Sequence, residues 1–425
     1  MKNNRRYDLS SKLTHFFRKL DMDDGSAPHL PEYWGDQNII ENTVASALFL
    51  LRCAIRHGLL WATWSKRGNI RTIYGPHPAV CFTEMPTAAF LEASAAREKA
   101  KQKMSTYALT FPKPKMFALG ARPVIYGLSG PTAGIPNGDG GGPRIMPEGL
   151  LPLREQYRYV TYAPTGGRWQ VDWTHEREWR WCFADGDALS KFESAIEEYG
   201  VVSEVKDFLG LRLYDGSLEG IGVIVNTKQE AEMILHDVLT LVDLGMITPN
   251  TFEYVLVADD IPSPETIRSP DEETNAIAAA TIDLSEILTP SPKRDENFAR
   301  QVRGLVEKVE AEAGEPEVGE PGGCWLWLID NVHQVTRALL NTGNLVINHD
   351  GKYLLRLDEF FDDRSLRQRE GMTMKLAALL NTTFGIESGY FSVLASGDPN
   401  ALPSYNSDFL DNQLHYNFGH HGLND

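Results

Sequence analysis

The chain has 425 residues, of which 42% are hydrophobic and 23% are charged, and its formal net charge is −17. These proportions are typical of a globular protein with two or three domains, and they argue against a disordered or collagen-like chain. The four cysteines are scattered without a Cys-x-x-Cys pair, which argues against a zinc site and a disulfide framework. The longest apolar run is too short for a bilayer. We therefore expect a cytoplasmic protein that binds no metal and no membrane.

The charge is spread unevenly along the chain. Residues 1–125 carry 18 Lys and Arg against 10 Asp and Glu, whereas residues 126–425 carry 23 against 48. A basic segment attracts an anionic partner such as RNA or DNA. The same distribution also arises when the two halves of a protein attract each other, so the charge alone does not choose the partner.

The first part of the chain alternates short strands with two helices. Apolar alternation and helical spacing predict these elements at residues 9–17 (strand), 41–57 (helix, capped by Gly58), 78–83 (strand), 87–103 (basic helix) and 107–111 (strand). Residues 127–150 hold eight glycines and four prolines. This composition predicts a mobile loop between strands.

The later part of the chain contains more strands and then changes character. Strands are predicted at 123–126, 157–162, 169–181, 220–225 and 252–258, and a helix with a capping box at 227–244. Residues 259–323 are rich in Pro, Glu, Asp, Ser and Ala, which predicts a linker around one solvated helix near 296–313. The chain is thus predicted as an α+β protein with a domain at 1–258, this linker, and an accessory domain at 324–425.

The segment at residues 173–181 holds the most informative pattern. It packs two acids, two arginines, a histidine and three tryptophans into nine residues. On a strand, Glu176, Glu178 and Arg180 would share one face. Neighbouring acids on one face repel each other, and sugar-handling active sites use such a pair to grip a ribose and orient the attacking group. A salt-bridged solvent face with the tryptophans buried behind it explains the pattern about equally well.

Three short motifs stand in the predicted strands: CFTEMP at 81–86, GARPVIY at 120–126 and EREWR at 176–180. Together they resemble the bacterial abortive-infection proteins of the AbiGi type and related phage-defence proteins, over about residues 10–260. The layout of those proteins is similar to the ADP-ribosyltransferase fold of the DarT kind. The resemblance implies a mixed β-sheet domain with NAD in a cleft, followed by the linker and a smaller α/β or α+β domain.

The resemblance also implies roles for individual residues. His15 would hold the adenosine ribose, Phe82 or Tyr74 would stack on nicotinamide, and Glu178 would stabilise the oxocarbenium-like transition state with Glu176 as the accessory acid. No tyrosine directly follows the second motif, so the chain departs from a plain His-Tyr-Glu pattern at the nicotinamide platform. A histidine bonded to backbone and a phenylalanine in the core are the simpler explanations for His15 and Phe82.

Basic residues of the first domain are candidates for the pyrophosphate of NAD. An arginine pairs with phosphate through two parallel hydrogen bonds, and the candidates are Arg67, Arg71 and Arg122. A salt bridge, with Glu178 for example, is the alternative explanation for Arg122.

The function that these observations favour is a phage-defence toxin that transfers ADP-ribose from NAD to a nucleic-acid or protein target. An antitoxin would be a further partner, and the accessory domain would sense or regulate. Two alternatives stay open. One is an NAD glycohydrolase, in which water replaces the target, and the other is a non-enzymatic antitoxin or sensor.

Overall fold

The computed structural model describes residues 10–21, 44–67, 70–102, 104–128, 142–163, 172–199, 207–262 and 270–403. The chain divides into two compact units, one formed by residues 1–231 and 250–282 and the other by residues 232–249 and 283–425. Both contain helices and β-sheet, so the predicted α+β class is confirmed. No helix in the described ranges is long and apolar enough to cross a membrane.

Sixteen strands begin in the first unit within the described residues, and the last of them ends at Asp283, one residue past its boundary. They are β1 (Lys12–Phe16), β2 (Leu20–Asp21), β3 (Val44–Ala45), β4 (Leu59–Trp61), β5 (Lys66–Arg67), β6 (Ile70–Arg71), β7 (Ala79–Thr83), β8 (Ala108–Pro112), β9 (Arg122–Pro123), β10 (Ile125–Tyr126), β11 (Tyr159–Val160), β12 (Glu178–Cys182), β13 (Gly210–Arg212), β14 (Ile221–Val225), β15 (Phe252–Val257) and β16 (Thr281–Asp283).

The helices of this part of the chain flank those strands. They are α1 (Ala47–His57), α2 (Thr87–Lys99), α3 (Lys113–Ala118), α4 (Gly186–Tyr199), α5 (Lys228–Asp243), which crosses the boundary between the units, and α6 (Pro270–Ala279). Short 3-10 helices lie at Leu153–Arg158, Thr174–Glu176 and Ala258–Asp260.

Eight of the strands form one mixed sheet, in the order β16-β15-β14-β8-β1-β7-β12-β9. The pairing of β14 with β15 is parallel, and the pairings from β14 through β9 are antiparallel. All five residues of β14 are buried, as expected for an unbroken apolar run in the middle of a sheet. The three sequence motifs lie on β7, β12 and β9, at the end of the sheet opposite to β16.

Two predicted helix ends are confirmed in detail. Gly58 ends α1 with φ 61°, and its N–H donates to the carbonyl oxygens of Ala54 and Ile55. Before α5, Glu230 N–H donates to Thr227 Oγ1 at 3.2 Å, and Glu230 Oε2 accepts from Thr227 N–H at 2.9 Å. This reciprocal pair is the capping box that the sequence predicts.

Several predicted boundaries were wrong. The strand predicted at 169–181 is regular only in β12, because the 3-10 helix at 174–176 precedes it and residues 164–171 lie outside the described part. The basic helix ends at Lys99 rather than at residue 103, and Lys101 has a left-handed φ of 55°. Of the loop predicted at 127–150, residues 129–141 lie outside the described part.

The second unit has its own sheet and core. Its elements are α7 (Leu284–Leu288), α8 (Pro292–Ala311), β17 (Gly322–Leu328), α9 (Gln334–Asn341), β18 (Leu345–Ile347), β19 (Tyr353–Leu355), α10 (Leu366–Phe384) and β20 (Ser388–Leu394). The strands pair in the order β18-β19-β17-β20, and the three pairings are antiparallel.

The residues predicted as a linker, 259–323, are divided between the two units, and one face of their long helix is buried rather than solvated. Val302, Val306 and Val309 of α8 are buried in the core of the second unit. They recur at helical spacing and form one apolar stripe. The charged residues around them give α8 a polar composition, which is why the sequence pattern indicated a solvated helix.

Val306→Ala is expected to destabilise the second unit by about 1–3 kcal/mol, because it removes two buried methyl groups and leaves a cavity. Val318→Ala is the matched control, since the Val318 side chain is fully exposed; it should change the free energy of unfolding by less than about 0.5 kcal/mol. Denaturant unfolding of the full chain measures both. Equal effects would contradict the core position of α8.

Candidate functional site

The three sequence motifs lie on neighbouring strands, with β12 paired on one side with β7 and on the other with β9. Its register with β7 sets Glu178 opposite Thr83, and its register with β9 sets Arg180 opposite Arg122. Thr83 Oγ1 donates to the carbonyl oxygen of Glu176 at 2.6 Å, and Glu178 N–H donates to Tyr126 Oη at 3.0 Å. The motifs CFTEMP, GARPVIY and EREWR, which were considered together in the sequence, are therefore also close together in space.

A cavity of about 420 Å³ opens beside these strands, and we call it the Glu178 pocket. It brings together four of the residues predicted from the sequence: Tyr74, Phe82, Glu176 and Glu178. Its described lining also includes residues to which the sequence pattern assigned no role: Phe16, Ser65, Thr72, Cys81, Thr83, Met85, Arg97, Met104, Arg144, Val160, Thr161, Trp173 and Arg180.

The carboxylate of Glu178 is fixed by a buried arginine. Arg180 Nε donates to Glu178 Oε1 at 2.8 Å and Nη2 donates to Oε2 at 3.3 Å. The guanidinium is held in turn by the carbonyl oxygens of Tyr157 and Tyr159, at 2.5 and 3.3 Å from Nη1. Alternation along β12 sets Glu178 and Arg180 on one face, as predicted, and this contact orients the carboxylate at the pocket wall.

Glu176 also lines the pocket, but it does not lie on a strand as predicted. It ends the 3-10 helix, and Arg177 then adopts a left-handed conformation with φ 47° and ψ 49°. This turn, rather than strand alternation, brings the Glu176 carboxylate to the pocket. Arg97 Nη1 donates to Glu176 Oε1 at 3.0 Å, and Arg97 Nε donates to Gln102 Oε1 at 2.9 Å. A left-handed non-glycine residue between two pocket acids is typical of a functional site.

The two predicted aromatic platforms differ in their surroundings. The guanidinium of Arg144 lies 4.0 Å over the ring of Tyr74 and also donates to its hydroxyl. Phe82 is 3% exposed, and its ring meets Phe111 edge to face at 5.6 Å. Trp173, half-buried at the pocket wall, is a third aromatic residue. The sequence pattern included Trp173 but gave it no function.

His15 lies outside the Glu178 pocket and lines a neighbouring cavity of about 290 Å³. Its Nδ1 is 2.8 Å from the carbonyl oxygen of Cys81, so Nδ1 carries the hydrogen. Burial lowers the pKa of His15 from 6.5 to about 4, although the bond to Cys81 opposes the shift. A neutral His15 bonded to backbone matches the simpler of the two explanations drawn from the sequence.

This low pKa leads us to expect acid sensitivity. As the pH falls from about 6.5 to about 4, the unfolded chain protonates His15 and the folded chain does not, so folding stability is lost at up to about 1.4 kcal/mol per pH unit. His15→Gln should flatten that part of the stability profile. Denaturant midpoints at several pH values measure the slopes, and equal slopes for His15→Gln and the unmodified chain would count against a neutral His15.

Two of the three predicted arginines, Arg71 and Arg122, lie apart from the described lining of the Glu178 pocket. Arg122 donates to the carbonyl oxygens of Phe117 and Ala121 at 2.7 and 2.8 Å, and its guanidinium covers the Phe117 ring at 3.9 Å. Arg71 covers Trp64 at 4.0 Å and lines a different cavity. The side chain of Arg67 lies outside the described part of the chain. Among the described residues, Arg97, Arg144 and Arg180 are the arginines that line the pocket.

The structure also describes the metal-ligand residue types and the thiol near this site. In the described ranges, no group of three or more His, Cys, Asp or Glu side chains is arranged to hold a metal ion. Cys81 lines the pocket, but burial, with Glu178 nearby, raises the pKa of its thiol far above the usual range. A protonated thiol is a poor nucleophile, so Cys81 is poorly suited to act as one.

Residues 291–418 match the model of a family described as a protein of unknown function, DUF4427. The match falls within the second unit and leaves the Glu178 pocket outside it. Comparisons with curated proteins and with solved structures gave no match.

Proposed function

We propose that the first unit binds NAD in the Glu178 pocket and transfers its ADP-ribose group to a nucleic-acid or protein target, in a phage-defence role. The observation that carries the proposal is the Glu178 carboxylate, fixed by the buried Arg180 at the wall of a pocket with aromatic and cationic sides. The phage-defence role rests on the sequence resemblance alone.

The proposed chemistry breaks the bond between the nicotinamide nitrogen and the ribose anomeric carbon. The bonding electrons leave with nicotinamide, which departs neutral, and positive charge develops on the ribose. A carboxylate held beside that carbon stabilises the charge without having to reorient. The target nucleophile then bonds to the anomeric carbon, and its proton passes to Glu176 or to solvent.

The rest of the pocket has groups suited to the remainder of NAD. Its volume, about 420 Å³, lies within the range of small-molecule sites. Arg97 and Arg144 supply positive charge for the pyrophosphate, in place of Arg71 and Arg122, which were expected to do so from the sequence. Trp173 and Tyr74 offer aromatic surface for the nicotinamide ring.

The Glu178–Arg180 pair also supports a second candidate function. Both carboxylate oxygens already accept hydrogen bonds from Arg180, which suits a structural ion pair in a non-enzymatic antitoxin or sensor. The two candidate functions differ in that only the enzyme would consume NAD. The catalytic proposal requires one further lone pair on Glu178 to face the ribose, and a carboxylate has lone pairs beyond those that the arginine uses.

NAD labelled in its adenine ring separates these functions. The purified full chain is incubated with labelled NAD and with fractions of cellular protein, RNA and DNA. Label that moves to a macromolecule supports the transferase, and label that appears only as ADP-ribose assigns a glycohydrolase. Intact NAD in every fraction, at protein concentrations that saturate the nucleotide, would contradict both and favour the binding protein.

A further inference from the structure

The side chain of Tyr126 is bound to the backbone of Glu178, and the proposed NAD chemistry gives this contact no role. Tyr126 is the last residue of β10 and of the motif GARPVIY. Glu178 N–H donates to Tyr126 Oη at 3.0 Å, and the N–H of Val124 donates to the carbonyl oxygen of Glu178 at 3.0 Å. One short segment of the chain therefore holds the backbone of Glu178 at two points.

The tyrosine hydroxyl takes the place of a strand partner. β12 pairs with β9 over two residues, and β9 ends at Pro123. In an antiparallel ladder, the N–H and C=O groups of one residue face the same neighbouring strand. The C=O of Glu178 accepts from Val124, whereas its N–H meets Tyr126 Oη instead of a carbonyl oxygen. Because an N–H without an acceptor is costly inside a protein, this bond fixes the first residue of β12.

The peptide bond between Arg177 and Glu178 is held on both sides. Its N–H donates to Tyr126, and its carbonyl oxygen, on Arg177, accepts from Glu84 N–H at 3.1 Å. Arg177 adopts a left-handed conformation with φ 47°, which costs a non-glycine residue free energy and persists only where its surroundings hold it. This peptide joins the two pocket acids, so its orientation sets where the side chains of Glu176 and Glu178 lie relative to each other.

Tyr126 is anchored through its own backbone and stays neutral. β10 pairs in parallel with β11, where Tyr126 lies opposite Val160, and Gly127 N–H donates to the Val160 carbonyl oxygen at 2.9 Å. Burial raises the pKa of the Tyr126 hydroxyl; the bond from Glu178 N–H opposes this shift, and the carboxylates of Glu178 and Glu176 add to it. The hydroxyl therefore remains protonated at neutral pH and brings no further negative charge to the two acids.

We propose that Tyr126 is a positioning residue for the reaction: it fixes the peptide between Arg177 and Glu178 and thereby the relative positions of both pocket acids. Arg180 orients the Glu178 carboxylate, and Tyr126 fixes the same residue at its backbone. Preorganised groups stabilise transition-state charge well because they do not reorient during the reaction. The action of these acids on NAD rests on the proposed function, whereas the contact of Tyr126 with the peptide does not.

The test variant is Tyr126→Phe in the full chain, which keeps the ring and removes the hydroxyl. We expect kcat for nicotinamide release to fall about tenfold, because a small displacement of a reacting group slows the reaction. KM for NAD should change less than about twofold, since the variant removes no side chain from the described pocket lining. The backbone amides of residues 177–182 should exchange with deuterium about tenfold faster, because the Glu178 N–H loses its acceptor.

Tyr107→Phe is the matched control. Tyr107 is also half-buried, its hydroxyl donates to Glu230 Oε1 at 2.7 Å, and it does not belong to the described lining of the Glu178 pocket. Each variant loses one tyrosine hydrogen bond, so a general loss of stability would affect both alike. Only Tyr126→Phe should lower kcat and speed the exchange at residues 177–182.

A lower kcat at constant KM, together with faster exchange at residues 177–182, in Tyr126→Phe alone supports the proposal. An unchanged kcat, an equal fall in both variants, a loss that comes from KM alone, or unchanged exchange would overturn it. An unmodified chain that does not consume NAD contradicts the proposed function instead. The exchange comparison then decides by itself: faster exchange in Tyr126→Phe alone supports the positioning of the peptide, and equal exchange in the two variants overturns it.

Discussion

Glu178→Gln is expected to lower the rate of nicotinamide release from NAD about 10²–10³-fold, the cost of losing one preorganised group that stabilises transition-state charge. The substitution keeps the shape of the side chain and removes the charge facing the ribose. It also places an amide N–H₂ or a neutral oxygen against the buried Arg180, so the free energy of unfolding should fall by about 1–3 kcal/mol. Single-turnover nicotinamide release measures the first effect, and denaturant unfolding measures the second.

Glu84→Gln is the matched control for that variant. Glu84 has the same side-chain exposure as Glu178, 14%, and it is paired with Lys113 at 2.7 Å. Its other oxygen accepts from Trp179 Nε1 at 2.8 Å, and it does not line the Glu178 pocket. Both variants should lose stability, and only Glu178→Gln should lose activity. Equal rates in the two variants would rule out a catalytic Glu178.

Arg180→Met is expected to have the largest effect on stability, about 3–5 kcal/mol. It leaves the Glu178 carboxylate without its partner and the carbonyl oxygens of Tyr157 and Tyr159 without their donor. A double variant that also carries Glu178→Leu should recover part of the loss, because it removes the stranded charge as well. Denaturant unfolding of the single and double variants gives the coupling between the two side chains.

Arg158→Met controls for the loss of an arginine from the same region. Arg158 pairs with Glu155 at 2.7 Å, but its side chain is 22% exposed and that of Glu155 is 33% exposed. A more solvated pair contributes little, so the free energy of unfolding should change by less than about 1 kcal/mol. If Arg158→Met and Arg180→Met destabilise the chain equally, the Glu178–Arg180 pair does not make the large contribution to stability that we assign to it.

The repeating patterns of the sequence were sufficient to predict many of the helices and strands of the first unit. β14 and α5 lie where apolar runs, helical spacing and the Thr227–Glu230 box indicate them, because these signals are local. The region before β12 could not be predicted in the same way. Alternating aromatic and polar residues at 173–177 suggest a strand, yet a 3-10 helix and the left-handed Arg177 stand there, stabilised by the tertiary contact of Thr83 with the Glu176 carbonyl oxygen.

Only some of the residues of the candidate site could be predicted from the sequence. Phe82, Glu176 and Glu178 lie at one pocket, as the motifs indicated, because β7 and β12 are paired. Arg97 and Arg144 join them from α2 and from the segment after residue 141, and no local pattern links positions that far apart. Arg180 carried a local signal, since it stands two residues after Glu178 on one strand, the spacing at which side chains share a face.

The most direct test of the account is a crystal structure of the Glu178→Gln variant with NAD, in which the slowed reaction preserves the bound nucleotide. We expect the nicotinamide ribose in the Glu178 pocket, with its anomeric carbon within about 4 Å of the residue 178 carboxamide, and the pyrophosphate beside Arg97 or Arg144. A nicotinamide ribose bound elsewhere in the molecule, or an empty pocket at saturating NAD, would contradict the assignment of this pocket.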